Sequence, residues 1–225
     1  MNSRLPERLT TRLYGYAEAD RLAGVSRGTS KRWIEGYSYP AHDGGRIVQP
    51  PVTPGREVTG AGVSFADLVE VVAIGGFKRR GFPITTVRKI VENCQVQFGE
   101  PYPLSRRTFK VGGRDVFVSL DSGLHDVLHR SGALAWDEIL APFLETLDYR
   151  DAFAYRWWPL GRSKPIVVDP EYGYGLPVIA ESGVRTEIIR ERFEVGDSID
   201  QIAYDFNVKP EQVQSAIQFE LQRAA

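Results

Sequence analysis

Two stretches near opposite ends of the 225-residue chain share the spacing of a helix-turn-helix, and they lie in halves of opposite charge. The first is Tyr16-Ala-Glu-Ala-Asp-Arg-Leu-Ala-Gly-Val-Ser-Arg-Gly-Thr-Ser-Lys-Arg-Trp33. The second is Ser198-Ile-Asp-Gln-Ile-Ala-Tyr-Asp-Phe-Asn-Val-Lys-Pro-Glu-Gln-Val213. Each predicts a short amphipathic helix, a tight turn and a second helix. Residues 1–120 carry 18 Lys+Arg against 11 Asp+Glu (+7), and residues 121–225 carry 10 against 18 (−8). A net charge of −1 therefore conceals a strongly divided chain. A basic half suits a polyanion, and an acidic half suits a basic protein.

The 42% hydrophobic and 25% charged fractions predict a buried core, in one large domain or two small ones. Cys94 is the only cysteine, which excludes an internal disulfide framework and a cysteine-built zinc site, and fits a reducing compartment. The first 30 residues lack the apolar core of a signal peptide. The run from Val69 to Phe77 is broken by Glu70, Gly75 and Gly76, so no membrane span is expected. The expectation is a cytoplasmic protein with no membrane partner.

Residues 1–15 read as a loose arm. A short helix is expected over residues 16–23, Gly24-Val25 as the turn, and Ser26 as the cap of a second helix reaching about Glu35. Residues 37–55, around the turn signal His42-Asp-Gly-Gly45, read as a β-wing. Ser64-Phe-Ala-Asp67 fits a capping box, with Val63 and Leu68 as a hydrophobic staple. Gly75-Gly76 is expected to weaken the end of the helix that follows, and Pro83 to open the next. Thr108 to Ser119 alternates around Gly112-Gly113 as a hairpin would, and residues 123–148 read as helix. Residues 153–168 read as one or two strands, and Asp169 to Pro177 as a loop. Three helices are expected near 186–195, 198–206 and 210–223, the second opened by a capping box of Ser198 and Gln201.

The helix after the first turn carries Ser26, Arg27, Thr29, Lys31 and Arg32 at its start, where a recognition helix meets the major groove. Lys and Arg suit phosphates and guanine edges, and Ser and Thr suit phosphate or base. Tyr37, Tyr39 and Arg46 on the wing could straddle the backbone. Lys78, Arg79 and Arg80 form a further basic cluster. The bland alternative is a three-helix packing unit with a solvated basic face.

At these residues the sequence resembles the winged helix-turn-helix of MerR-type regulators. The match is Glu18-Ala19 and Arg21-Leu-Ala-Gly-Val-Ser26, then Thr29 and Lys31-Arg32-Trp33, with Ser64-Phe65 and Leu68-Val69 opening the next helix. It covers about residues 14–92. Ser30 stands where that pattern carries an apolar residue. Gly28 falls inside the expected recognition helix, where it costs about 1 kcal/mol relative to Ala.

A second resemblance covers about residues 155–220. Val167-Val-Asp-Pro170, Gly175-Leu-Pro-Val178, Gly183-Val-Arg-Thr186, Gly196-Asp-Ser-Ile199, Ile202-Ala-Tyr-Asp-Phe206, Val213 and Ala216-Ile217 look like a small helix-turn-helix family of unknown function found in VapB-type antitoxins. Together the two halves resemble a VapB-type antitoxin of the kind paired with a PIN-like ribonuclease toxin. That resemblance implies toxin neutralisation and binding to the chain's own promoter DNA.

The C-terminal helix-turn-helix has one early basic residue, Lys209, among Asp197, Asp200, Asp205 and Glu211, and carboxylates oppose phosphate contact. It reads as a packing or protein-contact module. Trp157, Trp158, Tyr172 and Tyr174 are candidate partner anchors, with core packing as the alternative. His125 and His129 have helical metal spacing but no third strong ligand, so surface histidines are the simpler reading. Gly173-Tyr-Gly lacks a phosphate-loop lysine. Cys94 is expected to be a buried apolar residue.

The expected fold is mainly α with small β elements: an N-terminal winged helix-turn-helix region over residues 1–120 and an acidic C-terminal helix-turn-helix domain over 121–225. The expected function is a non-enzymatic antitoxin and DNA-binding autoregulator without cofactor. It would be dimeric or higher, through the apolar helix from Trp136 to Leu147 or the C-terminal helices. A transcriptional regulator without a toxin partner, and a protein-only adaptor, are the alternatives.

Overall fold

The structure is a computed structural model that describes residues 6–42, 44–53, 62–99, 101–107 and 136–224. The expected hairpin at 108–119 and the histidine pair His125 and His129 lie outside the described residues, as does the first half of the helix expected over 123–148. The described residues are mainly helical with small two-stranded sheets. None of their helices is long and apolar enough to cross a membrane. The chain divides into two compact units. One is Met1–Leu144 with Asp151–Phe153, and the other is Glu145–Arg150 with Ala154–Ala225.

The first unit is organised around one helix. Its elements are α1 (Glu7–Thr10), β1 (Arg12–Tyr14), α2 (Tyr16–Ala23), α3 (Thr29–Glu35), β2 (Tyr37–Pro40), β3 (Arg46–Gln49), β4 (Val63–Ser64), α4 (Phe65–Arg79) and α5 (Ile84–Phe98). α4 is buried on nearly every face, from Phe65 through Phe77, and that stretch is apolar except for Asp67 and Glu70. It starts on a complete capping box. Ser64 Oγ accepts from Asp67 N–H, and Asp67 Oδ2 accepts from Ser64 N–H at 2.9 Å. Gly75-Gly76 does not weaken it, because the helix runs on to Arg79. A Cβ at Gly75 would stand 3.2 Å from Val25 Cγ1 and 3.6 Å from the Ala23 carbonyl, so the missing side chain admits the end of α2. Residues 6–15 are not a loose arm: Leu9 and Tyr14 are buried, and β1 pairs antiparallel with β4.

Toward the end of this unit a π-helical turn, Trp136–Leu140, runs into α6 (Ala141–Glu145). The helix expected to reach 148 stops there, and β5 (Leu147–Arg150) follows instead. Leu140, Leu144 and Leu147 are all buried within the chain, so these three leucines are not free to meet a second copy, while Ile139 and Phe143 beside them are half-buried.

The second unit holds β5, most of β6 (Phe153–Trp157), β7 (Ile166–Val167), β8 (Val178–Ile179), α7 (Thr186–Glu194), α8 (Ile199–Asp205) and α9 (Pro210–Ala224). β7 pairs antiparallel with β8, Ile166 opposite Ile179. Ile166, Ile179, Ile189, Ile202, Val213, Ala216 and Phe219 form the core, joining that small sheet to all three helices. Of the expected second capping box only half is made. Ser198 Oγ accepts from Gln201 N–H, but the Gln201 amide donates to Asp205 Oδ1.

Candidate nucleic-acid interface and partner surface

The link between α2 and α3 is built around the buried Asp20. Its Oδ2 accepts from Gly28 N–H at 2.6 Å, and its Oδ1 from Ser30 N–H at 2.7 Å. These donors stand at the start of α3, which has no intrahelical acceptor for them. The helix therefore begins at Thr29 with Gly28 as its N-cap, and Ser26 is not the cap. Gly28 sits at φ 79°, left-handed backbone suited to glycine, so the cost expected for a glycine inside the helix does not arise. Ser30, the polar residue at an apolar position of the pattern, is fully buried and donates its hydroxyl to the Tyr16 carbonyl at 3.1 Å. Nothing local in the sequence signals this pair, because ten residues separate Asp20 from Ser30.

This scaffold leaves Ser26, Arg27, Lys31 and Arg32 exposed, while Thr29 is buried and takes only a 3.5 Å contact from Arg32 Nη2. β2 and β3 pair in register Tyr37 with Gln49 through Pro40 with Arg46. Both strands are exposed almost throughout, with Tyr37 and Tyr39 stacked at 6.1 Å. Arg46 donates to Ser38, and Lys31 lies 5.8 Å from the Tyr16 ring centroid. Among the described residues Arg27, Lys31, Arg32 and Arg46 make no ion pair. The other basic cluster is spent internally. Lys78 donates to the Phe82 carbonyl, Arg79 to the Ala23 carbonyl and Arg80 to Glu138.

The second unit treats its cations the opposite way. Arg156 pairs with Asp169, Arg150 with Glu171, Arg162 with Asp148 and Arg190 with Glu194. Arg192 holds both Asp197 and Asp205; this raises the guanidinium pKa, and the Arg192 hydrogen bond holds the Asp205 carboxyl below its ordinary value. Glu181, Glu187, Glu191, Asp200 and Glu211 remain exposed and unpaired among the described residues.

The four candidate anchors separate into two pairs. Trp157 is only 6% exposed, and the Trp158 indole donates to Asp148 at 2.8 Å, so both are committed to the fold. Tyr172 is 40% exposed and Tyr174 is 84% exposed. They flank and enter a turn, Gly173-Tyr174-Gly175, whose three φ angles are 60°, 58° and 76°. It is one turn of left-handed backbone, closed by Gly175 N–H to the Tyr172 carbonyl and Leu176 N–H to the Gly173 carbonyl, both 3.1 Å. A tyrosine in that conformation costs about 1 kcal/mol. No group of His, Cys, Asp and Glu among the described residues is arranged to hold a metal. Cys94 is buried, and burial pushes its thiol up to about 12.

Comparison with known proteins adds to this geometry. The model of a family described as "Protein of unknown function (DUF433)" matches residues 166–219, the stretch that contains the core of the second unit. A Mycobacterium tuberculosis protein described as "Putative antitoxin VapB45" is 28% identical over 91% of this chain and 92% of its own length. The "Uncharacterized protein Rv2308" of the same organism is 29% identical over 94% of this chain and 91% of its own length. The crystal structure of Rv2018 from Mycobacterium tuberculosis superposes with a TM-score of 0.68 at 22% identity, covering 92% of this chain and 98% of that one, and so shares its fold. The chain is thus similar to the DUF433 family from Ile166 to Phe219, and to a protein described as an antitoxin over nearly all of its length.

Proposed function

We propose that the chain is the antitoxin of a type II toxin–antitoxin pair: it binds its own promoter DNA through a winged helix-turn-helix in the first unit and neutralises a PIN-like ribonuclease toxin through the second. The observation that carries the DNA half is that Arg27, Lys31, Arg32 and Arg46 are exposed and make no ion pair among the described residues, on α3, the turn before it and the hairpin after it. Cations without carboxylate partners are free to replace counterions on phosphates. Ser26, in the turn, and Tyr37, on the hairpin, are exposed as well, and buried Thr29 lies 3.5 Å from Arg32 Nη2. The toxin half is supported by the similarity to a protein described as an antitoxin and by the exposed carboxylates of the second unit. A ribonuclease draws in RNA with positive charge or metal, which carboxylates complement.

The test is binding of the full chain to its own promoter duplex across a salt series. The variant Arg27→Ala/Arg32→Ala is expected to bind more weakly, with a salt slope flatter by about two units. Unchanged affinity and slope would remove the DNA half of the reading. Failure of the intact chain to inhibit the ribonuclease encoded beside it would remove the toxin half and leave a transcriptional regulator.

A further inference from the structure

The second unit exposes a groove that its own fold does not fill. It has a volume of about 430 Å³ and is lined by Phe193 of α7, Ile199 of α8, and Gln214, Ile217, Gln218, Leu221 and Gln222 of α9. Ile217 is its buried floor, while Phe193 and Leu221 stand 41% and 54% exposed at its sides. On α9 the lining residues recur at helical spacing: Gln214, Gln218 and Gln222 form one row, Ile217 and Leu221 the row beside it.

We propose that this groove is the face on which a second copy of the chain docks, α9 against α9, to form a two-fold dimer. Charge identifies the occupant. The unit carries 9 basic and 13 acidic residues, yet none of the seven lining residues is charged. A basic partner such as the toxin would find its carboxylates elsewhere, at Glu181, Glu187 and Glu211. A second acidic copy needs a patch where no like charges meet, and this is one. The glutamine row also complements itself, because an amide both donates and accepts and can pair with its own image across a two-fold axis. Phe193 and Leu221 supply ridges beside the hollow, so each copy presents both knob and hole. The proposal is independent of the antitoxin reading: the dimer would form without DNA or toxin.

Light scattering of the full chain tests it. The 25.2 kDa chain is expected to run at about twice that mass at micromolar concentration, in both low and high salt. Apolar burial survives screening, and screening also relieves repulsion between the acidic units. Phe193→Glu/Leu221→Glu should raise the dimer dissociation constant by roughly 100-fold or more while retaining the wild-type circular dichroism. Tyr204→Glu, an exposed site outside the groove, should leave the dimer intact. A monomeric wild type, a double variant that remains dimeric, or equal dissociation by the Tyr204 variant would each overturn the proposal.

Discussion

Thr186 and Glu220 meet in the core of the second unit, the threonine hydroxyl 2.5 Å from the glutamate Oε1, with both side chains almost wholly buried. The contact ties the start of α7 to the far end of α9 across 34 residues. A buried carboxylate depends on each of its donors. Thr186→Val keeps the shape and removes the donor. It is expected to cost about 2 kcal/mol, read as a fall of about 6 °C in melting temperature. A melt within 1 °C of wild type would show that the hydroxyl contributes little.

Glu70 gives the first unit a pH-dependent stability. Burial pushes its carboxyl from 4.5 up to about 8, although Ser105 N–H donates to its Oε1 at 2.9 Å. The folded chain therefore holds a proton that the unfolded chain releases above about pH 4.5. Stability contributed by the neutral acid is full below that pH, falls as pH rises toward 8, and levels off beyond. The expected loss is on the order of a few kcal/mol. Glu70→Gln mimics the neutral acid and should flatten the dependence between pH 5 and 9 in denaturant titrations. A wild-type and variant pair with parallel pH profiles would contradict this.

Tyr174 sets fold and binding against each other. Its left-handed φ of 58° suits glycine, and its ring packs on little, being 84% exposed. Tyr174→Gly should therefore stabilise the chain by about 0.5–1 kcal/mol. The same change removes a proposed toxin anchor and should weaken capture of the ribonuclease tenfold or more, as expected of a central aromatic contact. Tyr174→Ala should weaken capture equally without the gain in stability. Full inhibition by both variants would strike Tyr174 from the interface.

Asp20→Ala should be the most damaging single change near the proposed DNA face. It leaves the Gly28 and Ser30 amides without their acceptor, at a cost of about 2 kcal/mol. Asp20→Asn keeps one acceptor oxygen and should cost roughly half as much. Urea unfolding of the three proteins ranks them, and an alanine variant as stable as wild type would show that water serves those amides equally well.

What was legible in the sequence followed local rules. The bounds of α2, the end of α3, the start of α4 on Ser64 and Asp67, and the three closing helices come from periodicity and caps, which act within four residues. What escaped was decided by residues distant in sequence. Ser30 looked like a flaw in the pattern because Asp20 and the Tyr16 carbonyl were not visible as its partners. Leucine spacing carried the expected helix past Leu147, but the chain turns at Asp151, φ 55°, and pairs as β5 and β6. Gly75 looked like a helix breaker because the approach of Ala23 and Val25 cannot be read from α4 alone. At the candidate sites, charge located the basic face but could not show which arginines were already occupied. Arg79, Arg80 and Arg192 are, whereas Arg27 is not.

Because Asp20 reaches forward from α2 to cap α3, the side chains of Ser26 and Arg27 are not needed to hold the helices together; Ser26 contributes there only its backbone carbonyl, which accepts from Thr29 N–H at 3.1 Å. They stand at the outer edge of a joint that would survive their replacement. On the proposed reading, the alphabet of contacts is uncoupled from the frame that carries it. A lineage could redirect such a chain to a different operator by exchanging two or three exposed side chains. Asp20, Gly28 and Ser30, which hold the joint through internal hydrogen bonds, would be the positions it could least alter.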